Sequence, residues 1–186
     1  MGGTHTRYAL TTEWVLAAPV DRIFDLLTAP EDWPRWWHYV ESVVPVRQGD
    51  AAGVGAVRRY TWTSRLPYRL TFAMETTAVV RPVAIEGTAR GELSGTGRWD
   101  LRELPRGTSV QYTWQVTTGK AWMNVLAPML APVFEWNHDQ VMAEGGRGMA
   151  RHLGVPLLAF RGTSLRRHQG VSFHGETSTC RTTREK

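Results

Sequence analysis

His138 and Asn137 are the side chains of this sequence best suited to moving a proton or fixing a carbonyl, and they stand side by side in the stretch APVFEWNHDQVMAEGGRGMARHL, residues 131–153. An imidazole held away from bulk water can serve as general acid or base near neutral pH, and a neighbouring amide can orient a carbonyl oxygen. The competing assignment is a structural histidine bonded to a backbone carbonyl. Glu92, at a glycine-rich strand end, is a further acid/base candidate, and Arg58 shares an alternating face with Tyr60 and Trp62. On a strand, both residue types are more often solvated. The alternation also gathers Phe72, Trp99, Tyr112 and Trp114 on covered faces, and Phe134, Val141 and Gly145 on one side of the helical stretch. Together they would give a cavity an aromatic wall suited to planar or polycyclic ligands, although such rings also fill ordinary cores. Trp33, Trp36 and Trp37 fit either a lid over an opening or an anchor for a short helix. Motifs for metal or nucleotide chemistry are missing: no HExxH, no paired cysteines, no GxSxG, no P-loop, no GxGxxG after a strand. No metal and no cofactor is therefore expected.

These residues need elements to position them. Phe134, Val141, Met142, Gly145, Met149 and Leu153 recur at spacings of three and four, with Glu135, Asp139, Glu144, Arg147 and Arg151 opposite, which predicts an amphipathic helix. Gly145, Gly146 and Gly148 each cost a helix about 0.8–1 kcal/mol against alanine, so something is expected to approach that backbone closely. Pro128 and Pro132 predict a short lead-in and then a break before the main helix. Upstream, Tyr8 to Ala17 reads as a strand, and Pro19 opens a short helix ending near Thr28. A second proline-led turn carries the three tryptophans. A two-residue period then predicts strands at about 39–47, 56–65, 68–79, 83–92, 95–103 and 108–118, an antiparallel meander with one wet and one covered face.

The charge balance separates two regions. The whole chain carries +5, yet residues 1–154 hold 16 Lys+Arg against 15 Asp+Glu, and residues 155–186 hold six against two. The basic excess thus lies in what reads as a disordered tail, with Leu157–Phe160 able to pack back, so no specific nucleic-acid partner is indicated for the domain. Residues 1–7 read as a flexible start and 8–154 as one domain, a monomer or weak homodimer. A lone Cys180, no secretory apolar region and no apolar run of roughly 18–20 residues place the chain as soluble and cytoplasmic. Arginine outnumbers lysine twenty to two, as in GC-rich bacterial genomes.

The element order, with Ala18-Pro19-Val20-Asp21-Arg22-Ile23-Phe24, Trp33-Pro34-Arg35-Trp36-Trp37, Leu66-Pro67-Tyr68, Gly91 to Gly97, Gly107-Thr108 and Phe134 to Met142, resembles the SRPBCC or START-like superfamily, polyketide cyclase/dehydrase type. The resemblance covers Tyr8 to Leu153. It implies an α+β helix-grip fold: a seven-stranded antiparallel sheet wrapped around a long C-terminal helix, two short helices after the first strand, and a deep cavity opening near those short helices. It implies a hydrophobic small molecule as partner, bound, carried, or folded for cyclisation or dehydration. A non-catalytic carrier of a lipid or quinone, and a protein-interaction domain like the fold's chaperone-activating members, are the alternatives.

Overall fold

Alternation of burial along the first strand sets up the fold: Leu10, Thr12, Trp14 and Leu16 are buried and the residues between them are not. A pleated strand with one apolar face must lay that face on something, and here the cover is helical. The computed structural model describes residues 7–66, 68–118 and 121–163, with the backbone alone at 7, 8, 118 and 121–131. The elements are β1 (Arg7–Leu16), α1 (Val20–Thr28), a 3₁₀ helix (Pro30–Arg35), β2 (Val40–Arg47), β3 (Val57–Trp62), β4 (Leu70–Val80), β5 (Ala84–Gly91), β6 (Leu93–Leu104), β7 (Gly107–Thr118), α2 (Ala121–Leu153) and β8 (Leu157–Arg161). The strands form one antiparallel sheet in the order β2-β3-β4-β5-β6-β7-β1-β8, and α2 lies against β1, β7 and β8. This is the helix-grip arrangement, with eight strands in place of the expected seven.

The eighth strand comes from the segment read as tail. Ala17 donates its backbone N–H to Pro156 O at 3.1 Å, Glu13 to Leu16 pair with Arg161 to Leu157, and Thr163 exchanges hydrogen bonds with the Thr11 backbone. The helical wheel is overturned at two positions, at one of them by this same segment. Asp139, placed on the solvent side by periodicity, is 3% exposed because Gly162 and Thr163 cover it, and its carboxylate accepts the Thr163 N–H at 3.0 Å. Glu135 is likewise buried. The expected flexible start and the rest of the expected tail lie outside the described residues.

A second correction concerns α2, which runs from Ala121 without the break expected at Pro128 and Pro132. Each proline removes one i→i−4 bond, and the remaining bonds of a 33-residue helix carry it through. The close approach expected at the glycines is made by tryptophans. A Cβ at Gly145 would strike the Trp37 indole, one at Gly146 would sit 3.0 Å from Trp14, and one at Gly148 would strike the Trp36 carbonyl. Trp37 is 1% exposed and donates its indole N–H to Val141 O at 2.9 Å. Three tryptophans thus press on three glycines, closing the core between α2, β1 and the 3₁₀ helix.

At the far edge of the sheet, β2 pairs only with β3, with register irregularities at Val40/Ser42 and Pro45/Arg47, and exposes Val44 and Val46.

Two outcomes follow from this packing. Gly145→Ala should lower stability by about 1–3 kcal/mol in urea denaturation through overpacking against Trp37, although alanine is the better helix former by roughly 1 kcal/mol; a stabilised variant would show that the indole does not seat there. A chain ending at Leu153 should be less stable than one ending at Thr163 by roughly 2 kcal/mol or more, since it loses a strand and uncovers a buried carboxylate; equal melting temperatures would show β8 to be ornamental.

Candidate functional site

A cavity of about 150 Å³, partly open to solvent, lies between α2 and the sheet. Its floor is the covered face of the strands: Leu10 of β1, Leu70 and Phe72 of β4, Tyr112, Trp114 and Val116 of β7, with Leu93 opening β6. Trp62 ends β3 at one side, and the loop after it contributes Thr63, Ser64 and Tyr68. The roof is one face of α2, where Phe134, His138, Val141 and Met142 follow at helical spacing and Asn137 turns in beside them.

Few polar atoms face this space, and several have no partner. Both ring nitrogens of His138, the Oδ1 of Asn137 and the indole N–H of Trp62 are buried without a hydrogen bond. Native proteins pair most such atoms, so a cluster of unpaired ones at one cavity marks the place where a ligand could pair them. The Asn137 amide nitrogen approaches the Tyr68 hydroxyl at 3.5 Å, so the amide presents an acceptor to the cavity; turning it by 180° would present the donor expected for orienting a carbonyl. His138 Nδ1 stands 3.7 Å from Asp139 Oδ1, too far for a hydrogen bond.

A second, smaller chamber of about 80 Å³ lies toward α1 and the 3₁₀ helix. Trp33, Arg58, Tyr60 and Trp99 line this chamber and not the first. Arg58 is engaged by Glu31 at 2.7 Å. Burial pushes the Tyr60 and Tyr112 hydroxyls well above the ordinary phenol range; for Tyr60 the nearby Arg58 works weakly in the opposite direction. Both phenols therefore remain protonated donors in any physiological buffer.

Other expected site residues are elsewhere. Trp36, Trp37 and Gly145 face neither chamber, being locked in the tryptophan–glycine contact, so the lid reading for the three tryptophans gives way to the anchor. Trp33 supports this from the other side, donating its indole N–H to Leu26 O at 3.0 Å. Glu92 accepts the Thr71 N–H at 2.6 Å, tying the start of β4 to the β5–β6 turn, and takes no part in the cavity. Tyr68, Thr63 and Ser64 were not anticipated: they lie on an irregular loop where neither period applies, and only the aromatic type of Tyr68 could have pointed to it.

The family model for polyketide cyclase / dehydrase and lipid transport matches residues 7–153. The chain belongs to this family. Its fold recurs in the TTHA0849 protein from Thermus thermophilus (TM-score 0.64, 16% identity, 78% of this chain and 99% of that one). It recurs again in the Zhui aromatase/cyclase from Streptomyces sp. R1128 (TM-score 0.56, 18% identity, 79% and 94%). The di-domain aromatase/cyclase BexL from the BE-7585A biosynthetic pathway superimposes with TM-score 0.63 at 16% identity over 78% of this chain, which spans only 50% of BexL. A comparison with curated protein sequences returned no match.

Within the polyketide cyclase/dehydrase family frame, one implied feature is displaced. The larger cavity lies by the loop after β3, and only the smaller chamber lies by the short helices, where the opening was expected. Among the described residues no helix is long and apolar enough to cross a membrane, and no group of three His, Cys, Asp or Glu could hold a metal ion.

The raised phenols make an alkaline prediction. A group whose folded pKa exceeds its unfolded value contributes stability that is present below the unfolded value and lost as pH rises toward the folded one. Stability should therefore begin to fall above about pH 10, and ultraviolet titration should show two of the five tyrosines ionising only as the protein unfolds. Five tyrosines titrating together in the folded state would contradict the burial described.

Proposed function

We propose that this member of the polyketide cyclase/dehydrase family binds an aromatic or polyketide-like small molecule in the cavity beneath α2, and that His138 transfers protons in its cyclisation or dehydration. The observation that carries the reading is the set of unpaired buried atoms, His138 Nδ1 and Nε2 and Asn137 Oδ1, facing an aromatic cavity. In such a reaction the walls hold a polyketone folded so that an enolisable carbon meets a carbonyl, and orientation supplies most of the acceleration. A free His138 nitrogen takes the proton from that carbon. The carbanion then bonds to the carbonyl carbon, and the new alkoxide recovers a proton; loss of water leaves a double bond, with no oxidant or reductant involved. Asn137 accepts a hydrogen bond from an enol or hydroxyl of the substrate, and Asp139, 3.7 Å from His138, offsets the transient positive charge.

One observation favours a second reading. The cavity offers few polar atoms, as a carrier of a lipid or quinone would require, and turnover of a synthetic β-polyketone separates the two.

His138→Leu is the discriminating variant. An unpaired buried imidazole costs stability, so its replacement by an apolar side chain should raise stability by about 1 kcal/mol in urea denaturation. Binding of a hydroxyaryl probe such as 2-naphthol, followed by tryptophan quenching and expected in the micromolar range near −8 kcal/mol, should weaken by about 0.5–1.5 kcal/mol, and water-releasing turnover should cease. Loss of stability with unchanged affinity would assign His138 to the fold.

A further inference from the structure

Tyr112 is the one residue that faces both chambers among the described residues. Its ring lies flat on the sheet between Trp99, 4.2 Å away at 29°, and Trp114, 5.8 Å away at 22°. It can lie so because of Gly97 on the neighbouring strand: a Cβ there would come within 2.6 Å of the Tyr112 hydroxyl and 2.9 Å of the Trp114 ring. The phenol thus occupies the place a side chain at position 97 would take, and it tiles the floor where the two chambers meet.

Size and chemistry differ between the chambers. An apolar cavity of about 150 Å³, partly open to solvent, accommodates a small aromatic molecule of one or two rings, and the smaller chamber adds about half as much again. The smaller one also has the more polar lining: the Tyr60 hydroxyl, Thr76, Arg58 and Glu86 line it beside apolar Met74 and Ile85. Burial keeps the Tyr60 and Tyr112 hydroxyls protonated. Protonated phenols and a guanidinium ask for an acceptor.

We propose that the smaller chamber is a second subsite for the ligand of the first, partitioned from it by the Tyr112 ring, and that it takes an oxygen-bearing end of a fused-ring or polyketone molecule too long for the first chamber alone. This rests on the binding reading above. Tyr112 is then the residue that sets ligand length: with the ring in place the short ligand is preferred, and once it moves or is removed the two spaces join along the floor at Gly97.

The test compares 2-naphthol with 2,6-dihydroxyanthraquinone, two rings against three with oxygen at both ends, by tryptophan quenching on the full chain. Tyr112→Leu should shift the ratio of the two dissociation constants at least tenfold toward the longer probe. Tyr112→Phe, which keeps the ring, should give less than a threefold shift, and adding Tyr60→Phe to the leucine variant should reverse threefold or more of its gain. Gly97→Ala, which must push the phenol off its seat, provides an independent route to the same shift if Tyr112→Leu melts early. A folded Tyr112→Leu or Gly97→Ala protein with the wild-type ratio overturns the subsite while leaving the first cavity standing. Absence of any saturable response of the wild type to 2-naphthol overturns the binding reading and the subsite together.

Discussion

The seating of Trp37 on α2 is the contact on which the remainder of the structure depends. A helix with small residues on one turn lets a partner come within van der Waals reach of its backbone, and here the partner is an indole that also donates to Val141 O. Trp37 meets Trp62 edge-on at 5.0 Å and Trp14 at 5.5 Å, so one ring joins the helix, the 3₁₀ segment, β1 and β3. Val141 then contributes its side chain to the cavity roof. The turn of α2 that carries the candidate chemistry is therefore held by the turn that is clamped, and glycines that weaken an isolated helix by about 1 kcal/mol each are offset by aromatic burial worth more.

The distribution of polar satisfaction tells a related story. Buried polar groups in the framework are mostly paired: Thr108 donates to Ala18 O at 2.8 Å, and Trp33 to Leu26 O. The unpaired ones fall into two groups. Thr12, Trp14 and Trp36 are sealed in the core, where ring edges and faces surround them. Trp62, Asn137 and His138 border open space. Only in the second group can an arriving molecule supply what is missing, and this difference, more than residue type, separates a candidate site from a merely imperfect core.

Much of the fold was legible because it is written in short-range periods. Each meander strand begins and ends within three residues of where the alternation placed it, and α1 ends at Thr28 as expected. The set of inward rings, Tyr60, Phe72, Trp99, Tyr112 and Trp114, was also readable, since a strand has only two faces. What alternation could not supply is position along the strand relative to the crossing helix, which decides that Phe72 and Trp114 meet the larger cavity while Tyr60 and Trp99 meet the smaller. Asp139 and β8 were missed together for one physical reason: the cover of that helix face comes from residues 162 and 163, whose pairing with β1 spans about 150 positions and leaves no local trace. A wheel drawn on α2 alone sees only a carboxylate and assigns it to water.

The irregular outer strand β2 has a bearing on how the molecule behaves in company. An open sheet leaves two lateral strands whose free N–H and C=O groups invite another chain to continue the ladder. On β2 the invitation is withdrawn twice: Pro45 has no N–H to offer, and the register faults on either side of it prevent a flat run of donors and acceptors. Val44 and Val46 can then stand in water without nucleating a stack, because apolar contact alone does not align a foreign strand. This guarded margin is the end of the strand order farthest from β1, yet it borders the site, since Val40 of β2 pairs with Trp62 of the cavity wall.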